Sequence, residues 1–442
     1  MNKQTVSIFW FRRDLRLDDN RGLFNALRSG HAVVLLFIYD KDILDQLAKD
    51  DHRLTFIFET LQKMQNELQE KYGSSIDCRY GKPKEIFDDL MNDYDIAAVY
   101  TNHDYEPYAK ERDASIGDLL RESDIEFHTF KDQVIFEKSE VVKDDGKPYV
   151  VYTPYKNKWR QKFNPEHDLK NYDLLDEVDN FYQNTRLPQL TLFDMGFEKS
   201  TIEVPECILN PDLILRYSDT RDYPATEGTS HIGPYLRFGL VSVRKIMKQA
   251  YSGSGTKFMN ELIWREFFMQ ILWHFPHTAH QAFREKYDSI PWRDAPDDLQ
   301  KWQDGQTGYP MVDAGMRELN KTGYMHNRVR MVVASFLCKH LLIDWRKGER
   351  YFADKLFDYD LSSNVGNWQW AAGSGVDAAP YFRVFNPQTQ FEKFDKEGEY
   401  VRKWVPEYFG VGYVQPMVDH KEARERAIET YKISLDTYKS IY

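Results

Sequence analysis

The residues best equipped for chemistry gather in the second half of the chain. In "NELIWREFF" (260–268), Glu261, Trp264, Arg265 and Phe268 fall at i, i+3, i+4 and i+7, so on a helix they share one face. That face reads either as a Glu261–Arg265 surface pair beside a core indole, or as one wall of a pocket for a flat ligand with a polar edge. In the second case the indole stacks on a base and the carboxylate accepts from imide or amine N–H groups. In "TGYMHNRVRM" (322–331), Asn327, Arg330 and Met331 share a face while Arg328 points elsewhere. Asn and Arg entering a mostly apolar helix need partners, because an unpaired buried polar group costs about 1–3 kcal/mol. A bound polar heterocycle satisfies them; so does an internal ion pair. In "EGTSHIGPYLRFGLVSVRKI" (227–246), Thr229, Ser230 and Gly233 precede a helical run, which suits either a phosphate or a plain helix cap. Asp358 and Asp360 in "FDYDLSSN" are too few carboxylates, with one residue between them, to specify a metal, and none is expected.

The stretch "DLSSNVGNWQWAAGSG" (360–375) has the Ser, Asn and Gly content of a loop, yet it carries Trp368 and Trp370 just after Asn364 and Asn367. Eight of the ten tryptophans follow residue 260, so the aromatic excess (15%) belongs mainly to that region.

Positioning such groups requires a scaffold, and two kinds are legible. The first 130 residues alternate apolar strand-like runs, at 5–11, 32–40, 75–81, 96–102 and 125–132, with a helical pattern at 53–71. This predicts a doubly wound α/β domain with its ligand crevice at the carboxyl ends of the strands, although no G-x-G-x-x-G follows the first strand. From 133 to 200 periodicity fades. A basic knot there, Lys156, Lys158, Arg160 and Lys162 around Trp159, reads as a solvated linker or as the edge of a nucleic-acid surface. After 200 helical patterns dominate, strongest at 255–275 and at 325–345, the latter expected as one deeply buried helix. The expected division is 1–132, a connector 133–200 and a helical domain 201–442.

The chain of 442 residues is long enough for two or three domains. Its 42% hydrophobic content argues against wholesale disorder. Cys78, Cys207 and Cys338 are isolated, which fits a reducing compartment and counts against a disulfide framework or a zinc site. No signal peptide or membrane span is legible, and a soluble cytosolic protein is expected. The net charge of −11 counts against a nucleic-acid partner unless a local basic strip exists.

Taken in order, "FWFRRDLRLDDN" (9–20), "RDYPATEGTSHIGPYLRFG" (221–239), "NELIWREFF", "TGYPMVDAGMRELNKTGYMHNRVRM" (307–331), "LLIDWRKGERYF" (341–352) and "SNVGNWQWAAGSGVDAAPYFRVFNP" (363–387) resemble the photolyase/cryptochrome flavoprotein family. The resemblance covers essentially the whole chain and is strongest to bacterial class I enzymes acting on cyclobutane pyrimidine dimers. It implies an α/β antenna domain, a long connector and a helical domain holding FAD in a U shape. It also implies light-driven repair of pyrimidine dimers in DNA, with the electron coming from excited FADH⁻.

By resemblance, Tyr217 and the turn Thr229, Ser230, His231, Ile232 and Gly233 hold the FAD phosphates. Asn364 faces flavin N5. Arg330 and Asp358 flank the isoalloxazine, with Tyr359 and Asp360 in the same loop and Glu261, Arg265 and Asn327 among the flavin contacts. Glu261, Asn327, Met331, Trp264 and Trp370 form the lesion pocket, the two indoles cradling the dimer and Glu261 bonding the pyrimidine edge. Arg221, Arg328, Arg383 and Gln390, with Trp264, meet DNA near the lesion. Trp368, Trp345 and Trp292 resemble a relay carrying electrons from the surface to photoexcited oxidised flavin. The antenna pigment is expected to be a folate, 5,10-methenyltetrahydrofolate, in contact with Glu106; a deazaflavin or an empty site are the alternatives.

Two departures stand out. The phosphate turn reads "TSHIG", without the last hydroxyl common in the family, and Phe258 stands where a Trp is frequent. A cryptochrome photoreceptor is the chief alternative; it predicts a C-terminal extension and a substituted position 364. A (6-4) photolyase needs an active-site histidine, where this chain has Asn327 and Met331. A flavin-independent DNA-binding protein would leave Asn327 and Arg330 without a ligand. A monomer in the bacterial cytosol, nucleoid-associated when on damaged DNA, is expected.

Overall fold

The computed structural model describes residues 4–174, 177–252 and 255–441. The chain divides into two compact units that interleave along the sequence. One takes the residues up to Glu137 together with Phe163–Glu203 and Gly233–Gln249; the other takes Lys138–Lys162, Val204–Ile232 and the chain from Ala250. The uninterrupted division expected at 132 and 200 is therefore replaced by one in which the chain crosses between units several times.

The first unit is built on five parallel strands: β1 (Thr5–Phe11), β2 (Ala32–Asp40), β3 (Ile76–Gly81), β4 (Asp95–Asn102) and β5 (Glu126–Phe130), in the order β3-β2-β1-β4-β5. Ile8 pairs in register with Val34 on one side and Val99 on the other, and all three are fully buried. Helices cover both faces, which is why the central strands β1 and β2 read as continuous apolar runs rather than as alternating ones. The strand order reverses between β1 and β4. There Asn102 Nδ2 donates to the Asp14 carboxylate at 2.6 Å, and the Arg244 guanidinium meets Asp132 at 2.8 Å.

The segment expected to be a connector is structured. Phe181 is buried, the Tyr182 N–H donates to the Val33 carbonyl at 2.9 Å, and the Cys78 N–H to the Pro188 carbonyl at 3.0 Å. The basic knot is a helix, Tyr152–Lys162. Trp159 at its centre is fully buried, its indole N–H donating to the Glu266 carboxylate. The solvated-linker reading fails because burying that indole ties the helix down, while Lys158 turns outward to Asp144 at 3.0 Å.

In the second unit the helices Thr256–His274, Pro310–Thr322, Asn327–Ser335, Trp345–Lys355 and Leu361–Ala372 carry most of the chemistry-bearing residues. The last four pack around a core containing Trp302, Phe336, Trp345, Phe352 and Trp368. The single helix expected over 325–345 is broken. The α-helix ends at Ser335, a π-helical turn occupies Phe336–His340, Leu342 takes a left-handed φ of 52°, and a new helix starts at Trp345 under an Asp344 cap. A segment apolar all round carries no periodic mark of where it stops.

The loop-like stretch 360–375 is mostly helix, Leu361–Ala372. Asp360 caps it, its carboxylate accepting from the Ser363 N–H at 3.1 Å. Its internal glycine serves close packing: a Cβ on Gly366 would lie 2.2 Å from Phe268 Cδ1. Gly373 closes the helix with a φ of +87°. Among the described residues no helix is long and apolar enough to cross a membrane.

Candidate cofactor and lesion site

Two helix starts aim the functional side chains. His326 caps the first, its imidazole accepting from the Arg328 N–H at 3.1 Å, which sets Asn327, Arg330 and Met331 on one face. Asp360 caps the second and thereby orients Asn364, Trp368 and Trp370. The two faces close on one concave site enclosing about 600 Å³, counting the part open to solvent. Asn327, Arg330 and Met331 line it from one side. Asp358, Tyr359, Asp360, Asn364, Trp368 and Trp370 line it from the other. The spacing argument for 327–331 and the resemblance-based roles for 358–370 thus converge on a single cavity.

Its electrostatics rest on two arrangements. The Arg330 guanidinium grips Asp358 with two parallel bonds, Nη1 to Oδ1 at 3.1 Å and Nη2 to Oδ2 at 2.9 Å, while Nε donates to the Met325 carbonyl at 2.7 Å. The neighbouring carboxylate raises the Arg330 pKa against the opposing cost of burial. Asn364 Nδ2 donates to the Glu349 carboxylate at 2.9 Å and to the Glu349 carbonyl at 3.1 Å. Burial pushes the Glu349 carboxyl up from its ordinary value, and the bond from Asn364 opposes that.

Tyr324 was not singled out in the sequence, although it lies inside a quoted motif. It joins the 229–231 turn to the cavity. Thr229 Oγ1 lies 3.3 Å from the Tyr324 hydroxyl, the His231 ring meets the Tyr324 ring edge-on at 4.8 Å, and the Arg330 guanidinium sits 5.7 Å from that ring. His231 holds a left-handed φ of 50°, an uncommon conformation for a residue other than Gly. Ser230 is buried, and its carbonyl accepts from the Ile208 N–H at 2.9 Å. Gly233 begins a helix of only five residues, and Ile232 before it is partly exposed. Tyr217 packs edge-on against Phe258 at 5.2 Å.

The 256–274 helix presents its face differently from the expectation. Glu261 holds the Arg221 guanidinium in an ion pair. Trp264 stacks face to face on Tyr152, with centroids 3.5 Å apart and 7° between the planes. Neither Glu261, Trp264 nor Arg265 lines the cavity. Of the two indoles expected to cradle a lesion, only Trp370 lines it. The residues expected to meet DNA also differ among themselves. Arg328 pairs with Asp222 at 2.6 Å and lies 4.2 Å from the Phe394 ring, whereas Arg383 is exposed and Gln390 sits in the helix Pro387–Phe394.

Trp368 and Trp345 are each 2% exposed and share one core, against which Trp292 packs. A Cβ on Gly348, one turn after Trp345, would come within 2.2 Å of Trp368 Cη2, so the two helices meet at the indole. Trp302, unmarked in the sequence, lies edge-on to Trp368 at 6.1 Å. In the other unit, Glu106 accepts from Arg13 at 2.9 Å and from Arg237 at 2.7 Å. Among the described residues no cluster of His, Cys, Asp or Glu could hold a metal ion.

Comparison with known proteins assigns the family. Residues 7–173 match the family model described as DNA photolyase, and residues 258–411 the model described as the FAD binding domain of DNA photolyase. The deoxyribodipyrimidine photo-lyase of Halobacterium salinarum is 36% identical over 97% of this chain and 99% of its own length. The Escherichia coli protein of the same name is 36% identical over 97% and 98%. A bacterial class III photolyase from Agrobacterium tumefaciens superposes with a TM-score of 0.87 at 34% identity, covering 98% of each chain. The archaeal photolyase from Sulfolobus tokodaii, described with two FAD molecules, gives 0.81 at 34% identity over 96% and 99%. With relatives at this identity along nearly its full length, the chain belongs to the DNA photolyase family.

Proposed function

We propose that the protein is a light-driven deoxyribodipyrimidine photo-lyase that splits cyclobutane pyrimidine dimers in DNA and so restores the two pyrimidines. The observation that carries this reading is the single cavity lined jointly by Asn327, Arg330 and Met331 and by Asp358, Asn364 and Trp370.

The cavity's chemistry fits FAD. An isoalloxazine has flat apolar faces and an edge of N–H and C=O groups. The cavity offers indole and aliphatic walls, a paired cation and anion, and an amide whose donor side is already occupied. Bound FAD, fully reduced and excited by light, supplies the electron that opens the cyclobutane ring. Arg330 and Asp358 would hold the flavin's polar edge, Asn364 would face N5, and Tyr217 with the 229–233 turn would take the phosphates.

The lesion enters flipped out of the duplex, which costs less for a damaged pair than for a sound one. Trp370 and Met331 supply an apolar wall, and Asn327 lies between flavin and lesion. Glu261 takes the pyrimidine edge on releasing Arg221, which then becomes free for a phosphate. Arg328, Arg383, Gln390 and the Trp264 edge complete the DNA contact. Trp368, Trp345 and Trp292 would supply a path for electrons from the surface toward photoexcited oxidised flavin. On the α/β unit, Glu106 contacts an antenna pigment, for which a folate is the preferred candidate.

Illumination of the reduced protein with oligonucleotides bearing either a cyclobutane dimer or a (6-4) photoproduct tests this. Restoration of the cyclobutane substrate alone is expected. Restoration of neither, or purification of a colourless protein, would overturn the assignment.

A further inference from the structure

The helix His420–Ile441 is held at its start by a bond between two imidazoles. His340 Nε2 lies 2.8 Å from His420 Nδ1, with ring centroids 5.1 Å apart and 30° between the planes. Between two neutral imidazoles such a bond contains one proton, given by one ring and accepted by the other. His340 is fully buried, stacks on Phe336 at 4.7 Å, and has no partner at Nδ1. A proton on its Nε2 leaves only a bare lone pair at Nδ1, whereas a proton on Nδ1 would strand a buried N–H. His340 therefore donates, and His420 accepts through Nδ1.

A second proton on His420 breaks this arrangement. It sets N–H against N–H and places a positive charge in the first turn of a helix, where the macrodipole opposes it. On the same helix Arg424 also opposes that charge, while Asp419, just before the helix, favours it. Arg426 donates to the His340 carbonyl and opposes a charge on that ring; around Arg426 stand Arg293, Asp298 and Glu422. Tyr309 meets the His340 ring edge-on at 6.0 Å, and its hydroxyl donates to the Val418 carbonyl at 2.8 Å. Burial lowers the pKa of His340 to about 3 and draws that of His420 below its ordinary value of 6.5. Below pH 6.5 the parted imidazoles bind protons that the paired ones refuse, so docking weakens as the pH falls.

We propose that the His340–His420 bond is a pH-sensitive latch that docks the start of the 420–441 helix at neutral pH and releases it in mild acid. Tyr431, farther along the helix, is fully buried; its hydroxyl donates to the Ala372 carbonyl at 2.8 Å and its ring lies edge-on to Trp292 at 5.9 Å. Release of the helix thus loosens the packing around Trp292.

Hydrogen exchange of the 420–441 backbone amides tests this in the purified full-length protein at pH 7 and pH 5, each rate divided by its intrinsic value at that pH. In the parent, protection should fall at least tenfold at pH 5, where a free imidazole is charged about thirty times more often than neutral. In His420→Gln, whose amide oxygen accepts without titrating, the change should be less than about threefold. In His420→Ala, which accepts nothing, protection should already be low at pH 7. Lys339, 3.7 Å from the Tyr431 ring and with its pKa lowered to about 7, is retained in all three, so the difference between parent and His420→Gln belongs to the imidazole. Unchanged protection in the parent, an equal fall in His420→Gln, or full protection in His420→Ala would overturn the proposal.

Discussion

Arg330 and Asp358 face each other across two parallel hydrogen bonds at 3.1 and 2.9 Å, and both line the cavity. Each neutralises the other in a partly enclosed place, so removing one strands the other. In Asp358→Ala the guanidinium keeps only its bond to Met325. The expected outcome is a loss of about 1–3 kcal/mol of stability and at least a tenfold weaker hold on FAD, read from thermal unfolding and from the flavin-to-protein ratio after gel filtration.

Glu261 lies outside the cavity lining and holds Arg221 in an ion pair. Glu261→Ala should therefore retain FAD in full while the quantum yield of repair falls severalfold. Full yield would remove Glu261 from the lesion site.

Trp368 is buried between Phe352, at 5.0 Å, and Trp302. Trp368→Phe should slow photoreduction of oxidised flavin at least tenfold while repair by chemically reduced enzyme persists. Transient absorption reads the first and oligonucleotide repair the second.

Gly366 has no room for a methyl group, because Phe268 occupies that place. Gly366→Ala should destabilise the helical unit by about 1–3 kcal/mol through overpacking, against a gain of under about 1 kcal/mol in helix propensity. A melting temperature equal to that of the parent would contradict the contact.

Lys339 is buried, donates to the Ala372 carbonyl at 2.8 Å and lies 3.7 Å from the Tyr431 ring centroid. Burial lowers its pKa from 10.5 to about 7. Between those values the unfolded chain binds a proton that the folded one does not, so this group makes stability rise as pH rises from about 7 to 10.5. In Lys339→Met that contribution should vanish. Denaturant titrations of parent and variant at pH 7 and pH 9.5 should show the parent gaining stability relative to the variant at the higher pH.

Much of this molecule is determined locally. The central strands of the α/β unit are legible because fully buried parallel strands are mostly apolar, and 5–11 and 32–40 match β1 and β2 residue for residue. The 327–331 face is legible because helical spacing alone puts Asn327, Arg330 and Met331 side by side. Other features needed the fold. The helix at 361–372 hides behind a loop-like composition, since what permits it is a cap from Asp360 and a gap that only glycine fits against Phe268. The interleaving of the two units, the pairing of Glu261 with Arg221 and the hold of Glu349 on Asn364 join residues whose separation in sequence carries no periodic signal. Patterning reports which face a residue turns to the interior. Only the tertiary structure decides what waits there, because contacts between distant segments depend on how whole helices pack.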